Sequence, residues 1–351
     1  MQREPVRIEL SGSPKERGIG HGKAARALIE QNIALYKKFL HKFDDATLRA
    51  QATLFSESAK SFRPDLVEEM DGIAEGAGVE REYIYMLNAR TELLGLEGTV
   101  MSECAVFYFA KSGLLCENWD WVEPSKDLTV LLSIALEDGR NILTYTEAGI
   151  LGKIGISSTG FGVAFNYLYP AALQKGIPVH VLLRALIESP SYEDAVALLK
   201  SGPYVGTSGN IMLADSSGKA TDFELSGASV TAIEISDTWL AHTNHYLGGT
   251  ENKPEAGPGF LRNSRERFER AEKTLKTMQS QDIDAAKKLL RDREAGEGMI
   301  CRNYIPEDTG DAVGTGTIAS IVMDLRAGAM HVALDPQESD SIFTEYQQNK
   351  K

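Results

Sequence analysis

The sequence predicts an α+β fold in which antiparallel sheets are covered by helices, and three observations carry that prediction. Helical periodicity dominates upstream of Cys104, short apolar runs separated by Gly-containing turns follow it, and the helical segments that return come in pairs. Regular alternation of strand and helix, the mark of a doubly wound parallel sheet, is missing. No internal repeat, low-complexity tract or Pro/Ser-rich linker divides the 351 residues, so one unit spanning 1–351 is expected.

In chain order, Val6 to Leu10 reads as a short strand. Ser13, Pro14 and Glu16 then form a helix start, with Ser as N-cap, Pro in the first helical position and Glu closing a capping box. An interruption is expected near Gly18 to Gly22, after which Leu28, Ile29, Ile33, Tyr36 and Leu40 share one helical face. Two further helices follow, one after Pro64 with Leu66, Met70 and Ile73, the other near Glu80 with Ile84, Leu87, Thr91 and Leu94. Strands are expected at Cys104 to Ala110, Gly113 to Asn118, Leu128 to Leu136, Asn141 to Thr146, Ile150 to Ser157 and Phe161 to Leu168, and turn signals such as Asp138-Gly139 and Thr159-Gly160 make neighbours antiparallel. Helices at Val179 to Glu188 and Tyr192 to Lys200, parted by Ser189-Pro190, precede strands at Asn210 to Asp215, Ala220 to Leu225, Val230 to Ile235 and Trp239 to Thr243. Gly248 to Gly259 reads as a surface loop. Helices Arg262 to Met278 and Ile283 to Arg291 come next, and Thr317 to Leu325 with Met330 to Leu334 closes the chain as a hairpin.

Composition narrows the function classes. Hydrophobic residues at 42% and charged residues at 25% are ordinary globular values. Thirty-seven Lys and Arg against 50 Asp and Glu give a formal charge of -13 with no basic stripe to offset it, which opposes nucleic-acid and anionic-membrane partners. No apolar run suits a signal peptide or a membrane span, so a cytoplasmic protein is expected. Cys104, Cys116 and Cys301 lack metal-ligand spacing and read as reduced thiols; no cofactor or metal is expected.

Cys104 lies on the seam between the helical and strand-rich parts. It reads either as a small apolar residue opening a strand or as a nucleophile, because a cut before it would give one residue both a thiol and an α-amine able to take the thiol proton. In Glu117 to Trp121, ENWDW, alternation sets Asn118 and Asp120 on one face and the two indoles on the other; the Asp120 face is expected beside Cys104 across a hairpin, where a carboxylate can orient the nucleophile or its amine, unless it merely ends a strand. His242-Thr243-Asn244-His245 offers a two-histidine metal site, an Asn244 amide for a developing oxyanion, or an Asn that stabilises a bend. Arg302 reads as a carboxylate anchor or a structural ion pair. The Gly-rich run Gly149 to Gly162 lies between strands and opens no helix, so it is hairpin turns rather than a phosphate fingerprint.

Taken together, MSECAVF, CENWDW, GIPVHVLLRALIESPS, HTNHY and SIVMDLRAGAMHVALDP, in that order and preceded by RGIGHG and LNARTEL, resemble the penicillin acyltransferase family, the isopenicillin-N N-acyltransferase-like cysteine members of the N-terminal-nucleophile (Ntn) hydrolases. The resemblance implies a four-layer αββα sandwich of two antiparallel sheets flanked by helices. It implies a precursor that cuts itself between Glu103 and Cys104, leaving a small chain 1–103 bound to a large chain 104–351. Cys104 is then the nucleophile of an amidohydrolase or acyltransferase working through a thioester on a small N-acylated substrate or acyl donor. Asn244 matches the oxyanion-hole asparagine, Asp120 the aspartate near the amine and Arg302 the C-terminal arginine. A homo-oligomer is compatible with this reading. Glu103 and Ala105 depart from the family's usual Gly before, and Ser or Thr after, the nucleophile, and they support the alternative of an unprocessed, inactive binding protein with the same fold.

Overall fold

The computed structural model describes residues 4–98, 104–169, 173–227, 229–235, 237–248, 259–294, 299–306 and 314–348, with backbone alone at 259–262 and 305–306. Strand β1 (Val6–Leu10) leads into helices α1 (Pro14–Ala24), α2 (Arg26–Phe39), α3 (Asp45–Phe62), α4 (Pro64–Ala77), α5 (Arg81–Asn88) and α6 (Arg90–Glu97). Strands β2 (Ala105–Phe109), β3 (Leu114–Val122), β4 (Thr129–Ala135), β5 (Asn141–Glu147), β6 (Ile154–Ser157) and β7 (Phe161–Tyr167) follow, then α7 (Val179–Ile187) and α8 (Tyr192–Lys200). The chain continues through β8 (Gly209–Asp215), β9 (Ala220–Ser226), β10 (Ser229–Glu234) and β11 (Trp239–His242), α9 (Gly259–Thr277) and α10 (Ile283–Leu290), and ends with β12 (Ile305–Pro306), β13 (Gly314–Asp324), β14 (Ala329–Leu334) and β15 (Thr344–Gln347).

These strands make two sheets. One has eight strands in the order β1-β4-β5-β6-β7-β8-β9-β10; the other runs β11-β2-β3-β13-β14-β15, with β12 paired to β13. The sheets meet face to face where β2 and β3 touch β7. Helices α7 and α8 cover the eight-stranded sheet, α5 packs on α7, and α9 and α10 lie on β11, β3 and β13 of the other sheet. The result is the αββα sandwich. Because both faces of β2 and β3 are covered, their apolar residues divide between two cores: Val106, Tyr108, Leu115, Trp119 and Trp121 fill the space between the sheets, while Phe107, Phe109, Leu114 and Cys116 join Ala271, Leu275 and Leu289 beneath α9 and α10.

The Ser13 capping box forms as expected, Ser13 Oγ accepting from the Glu16 amide and Glu16 Oε2 accepting from the Ser13 amide. Helix α1, however, runs unbroken through Gly18 to Gly22. Its glycines let α1 lie backbone to backbone on α4, since a Cβ on Gly18 would sit 2.1 Å from the Glu69 carbonyl oxygen and one on Gly76 would sit 2.3 Å from that of Ile19. Helix α3 was not anticipated, because its buried face of Leu48, Ala52, Phe55, Ser56 and Ala59 is small and partly polar. The single helix expected through Leu94 divides at Ala89, where Asn88 Nδ2 donates both to the Ile84 carbonyl at 2.9 Å and to the Gly149 carbonyl at 2.9 Å.

Two pairings also differ from expectation. β1 pairs parallel with β4, Val6 opposite Val130, because it reaches the sheet from a distant part of the chain rather than through a hairpin. β15 extends the terminal hairpin by one strand, Thr344 opposite Val332. β6 starts at Ile154, four residues later than expected, after a turn in which Gly149 adopts φ 89°. Most of the loop expected at Gly248 to Gly259 lies outside the described residues.

The α1–α4 contact is testable. A Cβ at Gly22 would stand 2.2 Å from the Ile73 carbonyl oxygen, with main chain on both sides. Gly22→Ala is expected to lower the free energy of unfolding by about 1–3 kcal/mol in a denaturant titration; an unchanged midpoint would contradict the close approach.

Candidate active site

The site begins with the β2–β3 register. Ala105 pairs with Asn118 and Val106 with Glu117, so one further step sets Cys104 opposite Trp119. Cys104 belongs to the core between the sheets, its side chain 1% exposed, and its Sγ lies 3.9 Å from the Asp120 carbonyl oxygen. Glu103 lies outside the described residues.

Asn244 is brought to Cys104 by the sheet edge and held there by α9. β11 pairs with β2, His242 opposite Val106, which carries the following Thr243 and Asn244 toward the start of β2. The Asn244 amide hydrogen goes to Ser264 Oγ at 2.8 Å, and its Nδ2 donates to the Tyr167 carbonyl at 2.9 Å. Its Oδ1 accepts from Arg267 Nη2 at 2.8 Å, while Arg267 Nη1 donates to the Cys104 carbonyl at 2.8 Å. Arg267 is fully buried, and its Nε donates to Asn263 Oδ1 at 2.8 Å, so one planar guanidinium fixes the separation of Cys104 and Asn244. The Asn244 amide nitrogen has two hydrogens, and one is already aligned by Tyr167, which sets the direction of the other.

Asp120 and Arg302 form a second group on the outer face of the same sheet. The Asp120 side chain leaves β3 with Cys116 and Asn118 toward α10, on the face opposite the thiol, which corrects the expectation that its carboxylate lies beside the Cys104 side chain. The physical reason is register: with Ala105 opposite Asn118, it is Trp119 and Glu117 that share the face of Cys104. Asp120 Oδ1 accepts from Thr317 Oγ1 at 2.6 Å; that hydroxyl in turn accepts from the Arg302 amide at 2.8 Å, and the Thr317 amide donates to the Arg302 carbonyl at 3.1 Å. The Arg302 main chain is thereby tied to Asp120 through the Thr317 hydroxyl. Burial pushes the adjacent Cys301 thiol up to about 12, with Asp120 adding to the shift, so Cys301 stays a thiol.

The histidines of HTNH do not converge. His242 Nε2 lies 2.9 Å from Glu224 Oε1 and its Nδ1 lies 2.7 Å from the Thr243 carbonyl, whereas His245 Nδ1 lies 2.9 Å from Ser264 Oγ. Burial would lower the His242 pKa, and Asp222 and Glu224 outweigh it, so this ring titrates above its ordinary range. Among the described residues no group of three or more His, Cys, Asp or Glu is gathered for a metal ion.

Sequence reading passed over Arg267, Lys153 and Glu117. Arg267 is one of several charged residues in α9, but it falls on the stripe of Ser264, Ala271 and Leu275 that the helix buries, and a cation on an apolar stripe is the signal. Lys153 is the one charged residue in the run Ala148 to Ser157, and a lone cation among apolar strand residues is the same kind of signal. Lys153 Nζ sits 3.6 Å from the Trp119 ring centroid and 3.8 Å from Glu117 Oε1.

With this geometry in place, comparison with known proteins defines the class and then the family. A mutant of the conjugated bile acid hydrolase from Clostridium perfringens superposes with a TM-score of 0.52 at 15% identity, covering 72% of this chain and 93% of that one. The architecture is the Ntn-hydrolase fold. The family model described as acyl-coenzyme A:6-aminopenicillanic acid acyl-transferase matches residues 109–339. The 40 kDa form of acyl-coenzyme A:6-aminopenicillanic-acid-acyltransferase from Emericella nidulans is 31% identical over 308 residues, 85% of each chain. The chain belongs to this acyltransferase family. Protein dcd1A of Dictyostelium discoideum is 24% identical over 216 residues, 52% of this chain and 49% of that protein.

The Arg267 fork predicts a stability effect. Arg267→Met leaves the Cys104 carbonyl and Asn244 Oδ1 without their buried donor, at about 1–3 kcal/mol for each acceptor. Denaturant unfolding is expected to show a midpoint well below wild type; a midpoint within error of wild type would remove the fork from the account.

Proposed function

We propose that this protein is a self-processing N-terminal-cysteine amidohydrolase or acyltransferase acting on a small N-acylated molecule. The observation that carries the reading is the Arg267 guanidinium that joins the Cys104 carbonyl to the Asn244 side chain.

In the intact chain the Cys104 sulfur attacks the Glu103 carbonyl carbon. The C–N bond breaks as the nitrogen takes up a proton, leaving Glu103 as a thioester on Sγ and Cys104 with a free amine. Water hydrolyses the thioester, freeing the Glu103 carboxylate and the thiol. Chain 1–103 then stays on chain 104–351 through two buried contacts, Arg184 Nη1 to Glu69 Oε1 at 2.9 Å and Arg90 Nη2 to Glu147 Oε2 at 2.7 Å, and a half-buried one, Arg63 Nη2 to Glu188 Oε2 at 2.5 Å.

In the mature enzyme the Cys104 amine takes the thiol proton and the thiolate attacks the substrate carbonyl. Asn244 Nδ2 donates its second hydrogen to the developing oxyanion, while the hydrogen bond to Tyr167 holds the amide plane. The leaving amine takes its proton from the Cys104 ammonium, and the acyl group remains on sulfur until water or an acceptor amine removes it. The amine and the side chain of a residue leave Cα in different directions, so Asp120 on the far face suits the amine rather than the thiol. Arg302 acts on Asp120 through Thr317. The family name adds an acyl thioester as a second donor class for the same acyl-enzyme.

Intact mass tests this reading. Wild type is expected as two chains, 1–103 and 104–351, and Cys104→Ala as one. Chromogenic N-acyl anilides and short acyl thioesters supply the activity readout, on which Asn244→Ala is expected to lower turnover by about 10²–10³-fold. A wild-type chain that stays whole and transfers no acyl group favours the binding-protein alternative, and activity surviving in Cys104→Ala overturns the mechanism.

A further inference from the structure

The nucleophile proposed above takes its proton acceptor from its own α-amine, and that amine exists only after the cut. In the intact chain the Cys104 nitrogen is part of a peptide bond and accepts nothing, so whatever favours the thiolate in the first attack comes from the surroundings.

Those surroundings contain a buried ion pair on the thiol's side of the sheet. Lys153 stands at the head of β6 in the eight-stranded sheet and crosses the sandwich interior to β3, where its ammonium lies 3.6 Å from the Trp119 ring centroid and 3.8 Å from Glu117 Oε1. Trp119 is the residue opposite Cys104 in the β2–β3 register, and Glu117, two residues before it and opposite Val106, shares its face. Lys153 is 3% exposed and Glu117 is fully buried, so water screens neither charge.

Resting on the function proposed above, we propose that Lys153 is a positioning residue whose ammonium holds the Cys104 thiol toward its thiolate, in the uncut chain as well as in the mature one, and that Glu117 beside it sets how much of that field the thiol feels.

The other charges around Lys153 leave this task to its ammonium. From α6, Arg90 reaches Lys153 electrostatically but is matched by Glu147 of β5 at 2.7 Å. From α7, His180 is held far below its ordinary pKa by burial, with Arg90 and Lys153 adding to the effect, so it is neutral. Asp120 acts on Glu117 from the other face of β3. Burial lowers the Lys153 pKa, and Cys104 and Glu117 oppose that shift. Burial pushes Glu117 up to about 7 against the pull of Lys153. Below neutral pH Glu117 is therefore protonated and the ammonium acts on the thiol undivided; above it, Glu117 ionises and takes a share of the ammonium's field. A pair that merely ties the two sheets together would not move the ionisation of Cys104.

The experiment follows Cys104 by the ultraviolet absorbance of its thiolate as pH is raised, subtracting Cys104→Ala, with cut and uncut forms identified by mass and each compared with its own counterpart. Lys153→Met is expected to move the Cys104 midpoint upward by about 1–3 pH units, and Lys153→Arg to keep it near wild type. Glu117→Gln is expected to move it downward. Self-cleavage of Lys153→Met, followed by mass over time, is expected to slow at least tenfold, roughly the effect of one pH unit on thiolate fraction. Wild-type midpoint and cleavage rate in Lys153→Met overturn the inference, and so does a wild-type midpoint in Glu117→Gln, which stands as the test if Lys153→Met does not fold. Failure here with Cys104→Ala still inert sinks only the pair; an active Cys104→Ala sinks the mechanism on which it rests.

Discussion

The structure depends on one guanidinium. Arg267 is fully buried, and its fork spans three acceptors: the Cys104 carbonyl before β2, the Asn244 oxygen after β11 and Asn263 in its own helix. A planar group with fixed donor directions sets both the spacing and the orientation of what it holds. The β11–β2 ladder brings Asn244 and Cys104 into one neighbourhood, but a ladder fixes only main-chain positions. The fork turns that neighbourhood into a geometry. It does so from a helix whose own position is set by Ala271 and Leu275 packing against Phe107, Phe109 and Ala241, so apolar contacts on the outer face decide where the inner polar groups sit.

Strand β3 shows the complementary constraint. Glu117, Asn118 and Asp120 are buried in a strand, where each would be destabilising without a partner. Glu117 Oε2 accepts from the Phe165 amide at 3.0 Å, Asn118 Nδ2 donates to the Leu290 carbonyl at 2.8 Å and the Ile300 carbonyl at 2.9 Å, and Asp120 accepts from Thr317. The partners come from β7, the end of α10 and β13, so this polar strand forms only when both sheets and the α10 layer are assembled. The bulge between Thr317 and Ala319 falls where β13 meets Asp120 and aims Thr317 at the carboxylate.

These dependences explain what could be read in the sequence. Strands bounded by Asp138-Gly139 or Thr159-Gly160 were legible because turn chemistry is local. The end of β3 was not, since ENWDW looks like a strand terminus until its tertiary partners are known. The glycines of α1 looked like breakers because their purpose lies on α4, and α3 was hidden because small residues bury its face. In the site, Cys104 and Asn244 were legible as unusual residues at strand ends. The family resemblance assigned them roles, but the side of the sheet on which Asp120 lies needed the register. Arg267 and Lys153 carry no motif, and only their place among apolar neighbours distinguishes them from surface charges.

The most direct measurement of the central claim is to locate the acyl group. The purified protein is incubated with a reactive acyl thioester, quenched in acid and digested, and the peptides are analysed by mass spectrometry. The account predicts one acyl adduct, on the sulfur of a peptide whose first residue is Cys104. An adduct on Cys116 or Cys301, or a Cys104 that stays unmodified while the thioester is consumed, would contradict it.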